Sequence, residues 1–224
     1  MTAGARRDDA GLRLSLVYAA TFFEMGVQIP FLPVWLGAHG LSDDQIAIIM
    51  AVPLAARVVA TPWVAAIADR RGDVGGVLTA VAIVLASCCA WLGFVSGFWP
   101  LLLGASTLIC AQGVLMPLSD ALAASAFKAP ESEAVRLDYG SIRKWGSAAY
   151  IAGNLFGGLY LAVFSVRSIT ALLTVAALLS VAAAMYAAPL AGDVRRVKDA
   201  AEAPEPAPAL GLLPLVVGAA ALIN

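Results

Sequence analysis

The sequence predicts an all-α membrane protein: six spanning helices, built as two inverted three-helix repeats, followed by the start of a seventh. Three observations carry that prediction. First, 61% of the 224 residues are hydrophobic and only 13% charged, with a mean hydropathy of +0.87. A soluble domain carries about 25% charged residues, so this chain cannot cover a water-facing surface. Second, apolar runs near 12–37, 44–68, 75–96, 98–124, 143–164 and 167–189 each reach the roughly 20 residues a helix needs to cross a bilayer. Third, the basic residues fall almost entirely on alternate loops.

The elements follow in order. Residues 1–11 form a tail with Arg6 and Arg7, and the first apolar run begins beside Arg13. That run far exceeds the roughly 7–15-residue core of a signal peptide, so it reads as a retained span. It contains "TFFEMGVQIPFLP" (21–33), with Glu24 near mid-span and Pro30 and Pro33 following. Span two carries Arg57 between Pro53 and Pro62. Span three holds Cys88 and Cys89, and span four holds Cys110, Gln112, Pro117 and Asp120. Span five combines Gly146, Gly153, Gly157 and Gly158 with Asn154, small residues that let helix backbones approach closely. Span six is almost wholly apolar. The segment 191–209, "AGDVRRVKDAAEAPEPAPA", has the composition of a polar linker. Residues 210–224 restart an apolar run that stops after 15 residues, too short to cross. The expectation is a fragment or a truncated gene, six helices joined by a linker to an absent second half.

Composition also excludes function classes. A net charge of −1 gives no basic field for nucleic acid. The three cysteines are odd in number and lie in apolar runs without metal-ligand spacing, so they read as packing residues. His39 is the sole histidine and falls in a short loop. With no grouping of nucleophile and base, an intramembrane enzyme is not expected.

Sidedness follows from the basic residues. Of 14 Lys and Arg, 12 fall on one side: Arg6, Arg7, Arg13, Arg70, Arg71, Lys128, Arg136, Arg143, Lys144, Arg195, Arg196 and Lys198. Arg167 lies opposite, and Arg57 lies inside span two. The N-terminus and the linker are therefore expected on the cytoplasmic side of an inner (plasma) membrane. "GVQIP" (26–30) in span one and "GVLMP" (113–117) in span four share Gly, Val and Pro at matching positions. These spans cross from opposite sides, as in inverted repeats built around a central site.

Charge at depth narrows the function. A charged side chain at a helix centre costs about 2.5–3.5 kcal/mol on insertion scales, so Glu24, Arg57 and Asp120 should face the bundle interior or a wet cavity. Gln28, Gln112 and Asn154 accompany them. Desolvation disfavours the charged form of a carboxylate, so Glu24 is a candidate to take and release a proton. Arg57 keeps its charge and can hold an anionic substrate or the carboxylate itself. The alternative is structural: Glu24 and Arg57 pair and lock two helices. Asp120 and Arg143 likewise form either a substrate pair or a gating contact. The mid-span prolines suit helices that bend around a cavity.

The loop "AAIADRRGD" (65–73) resembles the signature loop of the major facilitator superfamily, with Asp69, Arg70 and Gly72 matching and Asp73 standing where a basic residue is expected. "DYGSIRKWGSAAYIAGNLFGG" (138–158), "MPLSDAL" (116–122) and the stretch 26–62 resemble the phenylpropionate permease family within it, a proton-symporter branch. The resemblance covers about residues 12–190. It implies the N-terminal half of the twelve-helix major facilitator fold. It also implies a latch role for Asp69 and Arg70, with the Asp capping a neighbouring helix. The expected activity is proton-coupled symport of a small organic solute, an aromatic carboxylate being favoured over a nucleoside or sugar. The partners would be that solute, protons, the bilayer and the absent six-helix half, with the proton gradient as driving force and no cofactor. A non-transporting half-length membrane protein is the alternative of another class.

Overall fold

A computed structural model describes residues 3–127 and 139–190. It contains α1 (Ala3–Ala38), α2 (Asp43–Arg71), α3 (Val74–Leu92), α4 (Phe98–Phe127), α5 (Tyr139–Val163), a 3₁₀ turn (Val166–Ser168) and α6 (Ile169–Ala187). All six helices are long and apolar enough to cross a membrane. The linker and the apolar run beyond it, together with Asp138, Lys128 and Arg136, lie outside the described residues.

Helix ends differ from the predicted spans for local reasons. α1 continues through the polar tail to Ala3, because backbone hydrogen bonding does not stop where the lipid does. α3 ends at Leu92, where the Gly93 N–H turns back onto Ala90 and Trp91. α2 begins at a capping box: Ser42 Oγ accepts from the Gln45 N–H at 3.4 Å while Gln45 Oε1 accepts from the Ser42 N–H at 3.1 Å. It ends at Gly72, whose φ of +60° suits glycine. Pro30, Pro33, Pro53, Pro62 and Pro117 all lie inside unbroken helices.

The packing has a two-fold logic. α1 packs most extensively on α5 and then on α6, while α4 packs on α2 and α3; α3 packs on α6, and α1 meets α4 at the centre. Exchanging α1 with α4, α2 with α5 and α3 with α6 leaves this pattern unchanged, as two inverted three-helix units require. The GVxxP echo follows the same rule. A Cβ on Gly26 would run into the Tyr150 backbone of α5, and one on Gly113 would run into the Arg57 side chain of α2. Each glycine is thus the seat of the helix that crosses its unit.

A core of α1, α3, α4 and α6 side chains fills the bundle, including Tyr18, Trp35, Leu78, Leu85, Leu108, Leu115 and Leu173. Trp35 Nε1 donates to the Arg167 carbonyl at 3.3 Å, and the His39 ring packs 4.0 Å from the Trp35 ring. These contacts tie the α1 end to the α5–α6 turn. At the opposite end Arg13 joins α1 to α6, pairing with Asp9 at 2.7 Å and donating to the Tyr186 carbonyl at 3.1 Å. By contrast, α2 and α5 leave most of their apolar side chains uncovered, among them Val58, Val59, Trp63, Leu155 and Leu159.

Candidate functional site

Depth groups the candidates. Arg57 lies midway between Asp43 and Arg71 on α2, and Gln112 lies at the middle of α4. Glu24 falls at the middle of the apolar part of α1. All three belong to the level where transporter sites form.

Direction around the helices then separates them. Glu24 is completely buried, and neither carboxylate oxygen has a hydrogen-bond partner among the described residues. Gln28, one turn further along α1, is 4% exposed, and its amide oxygen is likewise unpartnered. Gln112 reaches across from α4 and donates to the Thr21 carbonyl at 3.1 Å; its own oxygen also lacks a donor. Thr21, Glu24 and Gln28 occupy one stripe of α1 by their spacing of three and four residues. The buried polar groups therefore gather where the two three-helix units meet.

Arg57 does not join them. It is exposed on α2, its side chain lying across Gly113 of α4, and it makes no ion pair with Glu24. The helix lock weighed from the sequence is therefore not formed. Glu24 is enclosed within the bundle, whereas Arg57 lies exposed against α4. A charged side chain left exposed at mid-membrane is costly against hydrocarbon, which favours water, solute or further protein beside the α2–α4 contact.

The remaining candidates sit around these two. Asp120, half-buried towards the end of α4, accepts a hydrogen bond from the Tyr18 hydroxyl of α1. Arg143 is exposed near the start of α5. Asn154 donates to the Tyr150 carbonyl at 2.9 Å, the atom that Gly26 approaches, so its amide belongs to the α1–α5 contact. Asp69 and Arg70 are exposed at the end of α2, and Asp69 borders a small cavity with Thr61, Val74, Val114 and Pro117.

The departure from the signature loop has a structural reason. Asp73 is the N-cap of α3, its Oδ1 accepting from the Gly76 N–H at 2.8 Å. A basic residue here could not make that bond. Asp73→Ala is expected to lower stability by about 1 kcal/mol, the usual cost of losing an N-cap, with Asp73→Asn near neutral. Thermal unfolding of the two variants measures the difference.

Three contributors escaped the sequence reading. Tyr18 holds Asp120, the Thr21 backbone holds Gln112, and Gly113 seats Arg57. Only Gly113 left a signal, since the repeated GVxxP places it where Gly26 stands in the first unit.

The sequence profile of the MFS_1 like family matches residues 12–207. Among known proteins, the probable 3-phenylpropionic acid transporter of Escherichia coli (strain K12) is 32% identical over 167 residues, covering 72% of this chain and 41% of the relative. The chain thus spans about two fifths of the length of the relative it matches. No solved structure matches it.

Proposed function

The chain belongs to the MFS_1 like family, and from that premise we propose that it forms the N-terminal six-helix half of a proton-coupled symporter for a small aromatic carboxylate. The observation that carries the reading is Arg57, exposed at mid-membrane on α2 beside Gly113 of α4. A fixed positive charge at that depth suits the carboxylate of a solute whose ring meets the apolar side chains beside it. A second six-helix half covers the opposite side of the cavity, and rocking of the two halves exposes the site to each side in turn.

Within this reading Glu24 is the proton site, flanked by Gln28 and Gln112. It lies in the seam between the repeats and acts on the cavity through the α1–α4 contact. Asp120, held by Tyr18, and Arg143 work at the basic end of the bundle as gating groups. Asn154 supports the α1–α5 crossing, and Asp69, Arg70 and Gly72 form the latch loop. The basic residues put the N-terminus and linker on the cytoplasmic side of an inner membrane. The proton gradient is the driving force, without a cofactor.

Uptake by the full-length protein in proteoliposomes tests the proposal. An inward pH gradient is expected to drive accumulation of phenylpropionate and not of nucleosides or sugars. Arg57→Gln should weaken apparent affinity about 10–100-fold, the scale of a hydrogen bond to a charged group. Accumulation that ignores the gradient, or an Arg57→Gln protein with unchanged affinity, would overturn it.

A further inference from the structure

α5 and α6 barely touch each other, although both pack on α1. Between them runs a groove of about 550 Å³. Leu16, Ala20 and Phe23 of α1 form its floor, Ala149 and Ala152 belong to α5, and Ala182 belongs to α6. Alanine on both walls keeps it open, and its lining is almost entirely apolar. From Leu16 to Phe23 it extends about 10 Å at 1.5 Å per residue. One leaflet of the hydrocarbon core is about 15 Å deep. The groove therefore lies at acyl-chain depth, towards the end of the bundle that carries the N-terminus.

That end is chemically distinct. Tyr186 borders the groove, with the Arg13 guanidinium 4.5 Å from its ring centre. Arg13 also pairs with Asp9, which in turn accepts from the Tyr186 hydroxyl at 3.1 Å. One turn beyond Ala149 stands the exposed indole of Trp145, preceded by the exposed Lys144 and Arg143. Arg13 and Lys144 give this end of the groove its basic groups, with an aromatic anchor beside them.

We propose that the α1–α5–α6 groove is a binding site for one anionic phospholipid, its acyl chain lying between α5 and α6 and its phosphate met by Lys144 and Arg13. Lipid satisfies both halves of the site: hydrocarbon fills the alanine-lined slot, and the negative headgroup matches the basic mouth. The proposal is independent of which solute the protein carries.

Native mass spectrometry of the full-length protein, released from a neutral detergent with added phosphatidylglycerol or phosphatidylcholine, tests it. One phosphatidylglycerol per chain is expected to be retained in preference to phosphatidylcholine. Ala152→Phe, which fills the slot, should remove the retained lipid. Lys144→Gln, on an exposed position that leaves the fold intact, should lower phosphatidylglycerol retention about fivefold, as one basic residue at an anionic surface does, and leave phosphatidylcholine unchanged. Equal retention of the two lipids, or unchanged retention in the Lys144→Gln protein, overturns the proposal. So does a lipid-free dimer that Ala152→Phe dissociates, which would give the groove to a second copy. Should Ala152→Phe fail to fold, the Lys144→Gln comparison decides alone.

Discussion

Glu24→Leu is expected to make the full-length protein more stable while abolishing uphill transport driven by a pH gradient. The carboxylate is fully buried and has no hydrogen-bond partner among the described residues. An unsatisfied buried polar group costs about 1–3 kcal/mol, and leucine at the same place adds to the apolar packing. A gain of that order should appear as a raised melting temperature. Had Glu24 locked α1 to α2 through Arg57, the same change would have removed a partner and lowered stability. Transport separates the two roles again: Glu24→Gln and Glu24→Leu should both lose gradient-driven accumulation by at least about a hundredfold, the lower end of what a positioned proton-transfer group contributes. Exchange of solute across the membrane without a gradient should persist. A Glu24→Gln protein that still accumulates solute against its gradient would remove the protonation role, and a Glu24→Leu protein that melts lower would remove the packing account.

Gly153→Val should disrupt the crossing of α1 and α5 more than any other change in the small residues of α5. A Cβ at this position would overlap the Phe23 carbonyl oxygen and lie 3.3 Å from Gly26 Cα. The atoms in the way are backbone, so no side-chain rotation relieves the collision and the two helices must separate. Overpacking of a tight core costs about 1–3 kcal/mol, and the backbone contact puts this case at the upper end, about 3 kcal/mol. Gly158 offers the control. A Cβ there meets only the Phe31 ring, at 4.0 Å, so Gly158→Ala should remain within about 0.5 kcal/mol of the parent. Both substitutions raise helix propensity, so a Gly153→Val protein as stable as Gly158→Ala would show that the crossing does not set the cost.

These expectations rest on information of two kinds, and the sequence held only one of them. Depth was legible. Bilayer thickness sets the length of an apolar run, so the six spans appear as uninterrupted stretches, and Glu24, Arg57 and Gln112 fall near their centres. The direction a side chain takes around its helix was not legible. A soluble helix marks its buried stripe with apolar residues at a period of 3.6, but a spanning helix is apolar on every side and the stripe disappears. Arg57 and Glu24 therefore looked like partners because they share a level. Packing of α2 on α4 and of α1 on α4, α5 and α6 left Glu24 enclosed and Arg57 exposed. The signature loop shows the same limit. Its match identified the loop, while the N-cap duty of Asp73 became visible only once α3 had a defined first residue. Repetition supplied the one directional clue, since GVxxP in two spans marked both glycines on which a neighbouring helix rests.

The exchange pattern among the helices has a consequence in parity. Three crossings are an odd number, so a unit that begins on one face of the membrane ends on the other. A second copy continuing the same chain must enter upside down, and the axis relating the copies lies in the plane of the bilayer. Whatever contact one copy makes near one face, its twin can make near the opposite face with similar energy. In the proposed transporter, such a bundle would have two tilted arrangements of similar cost, and one proton or one bound anion would be the bias that chooses between them.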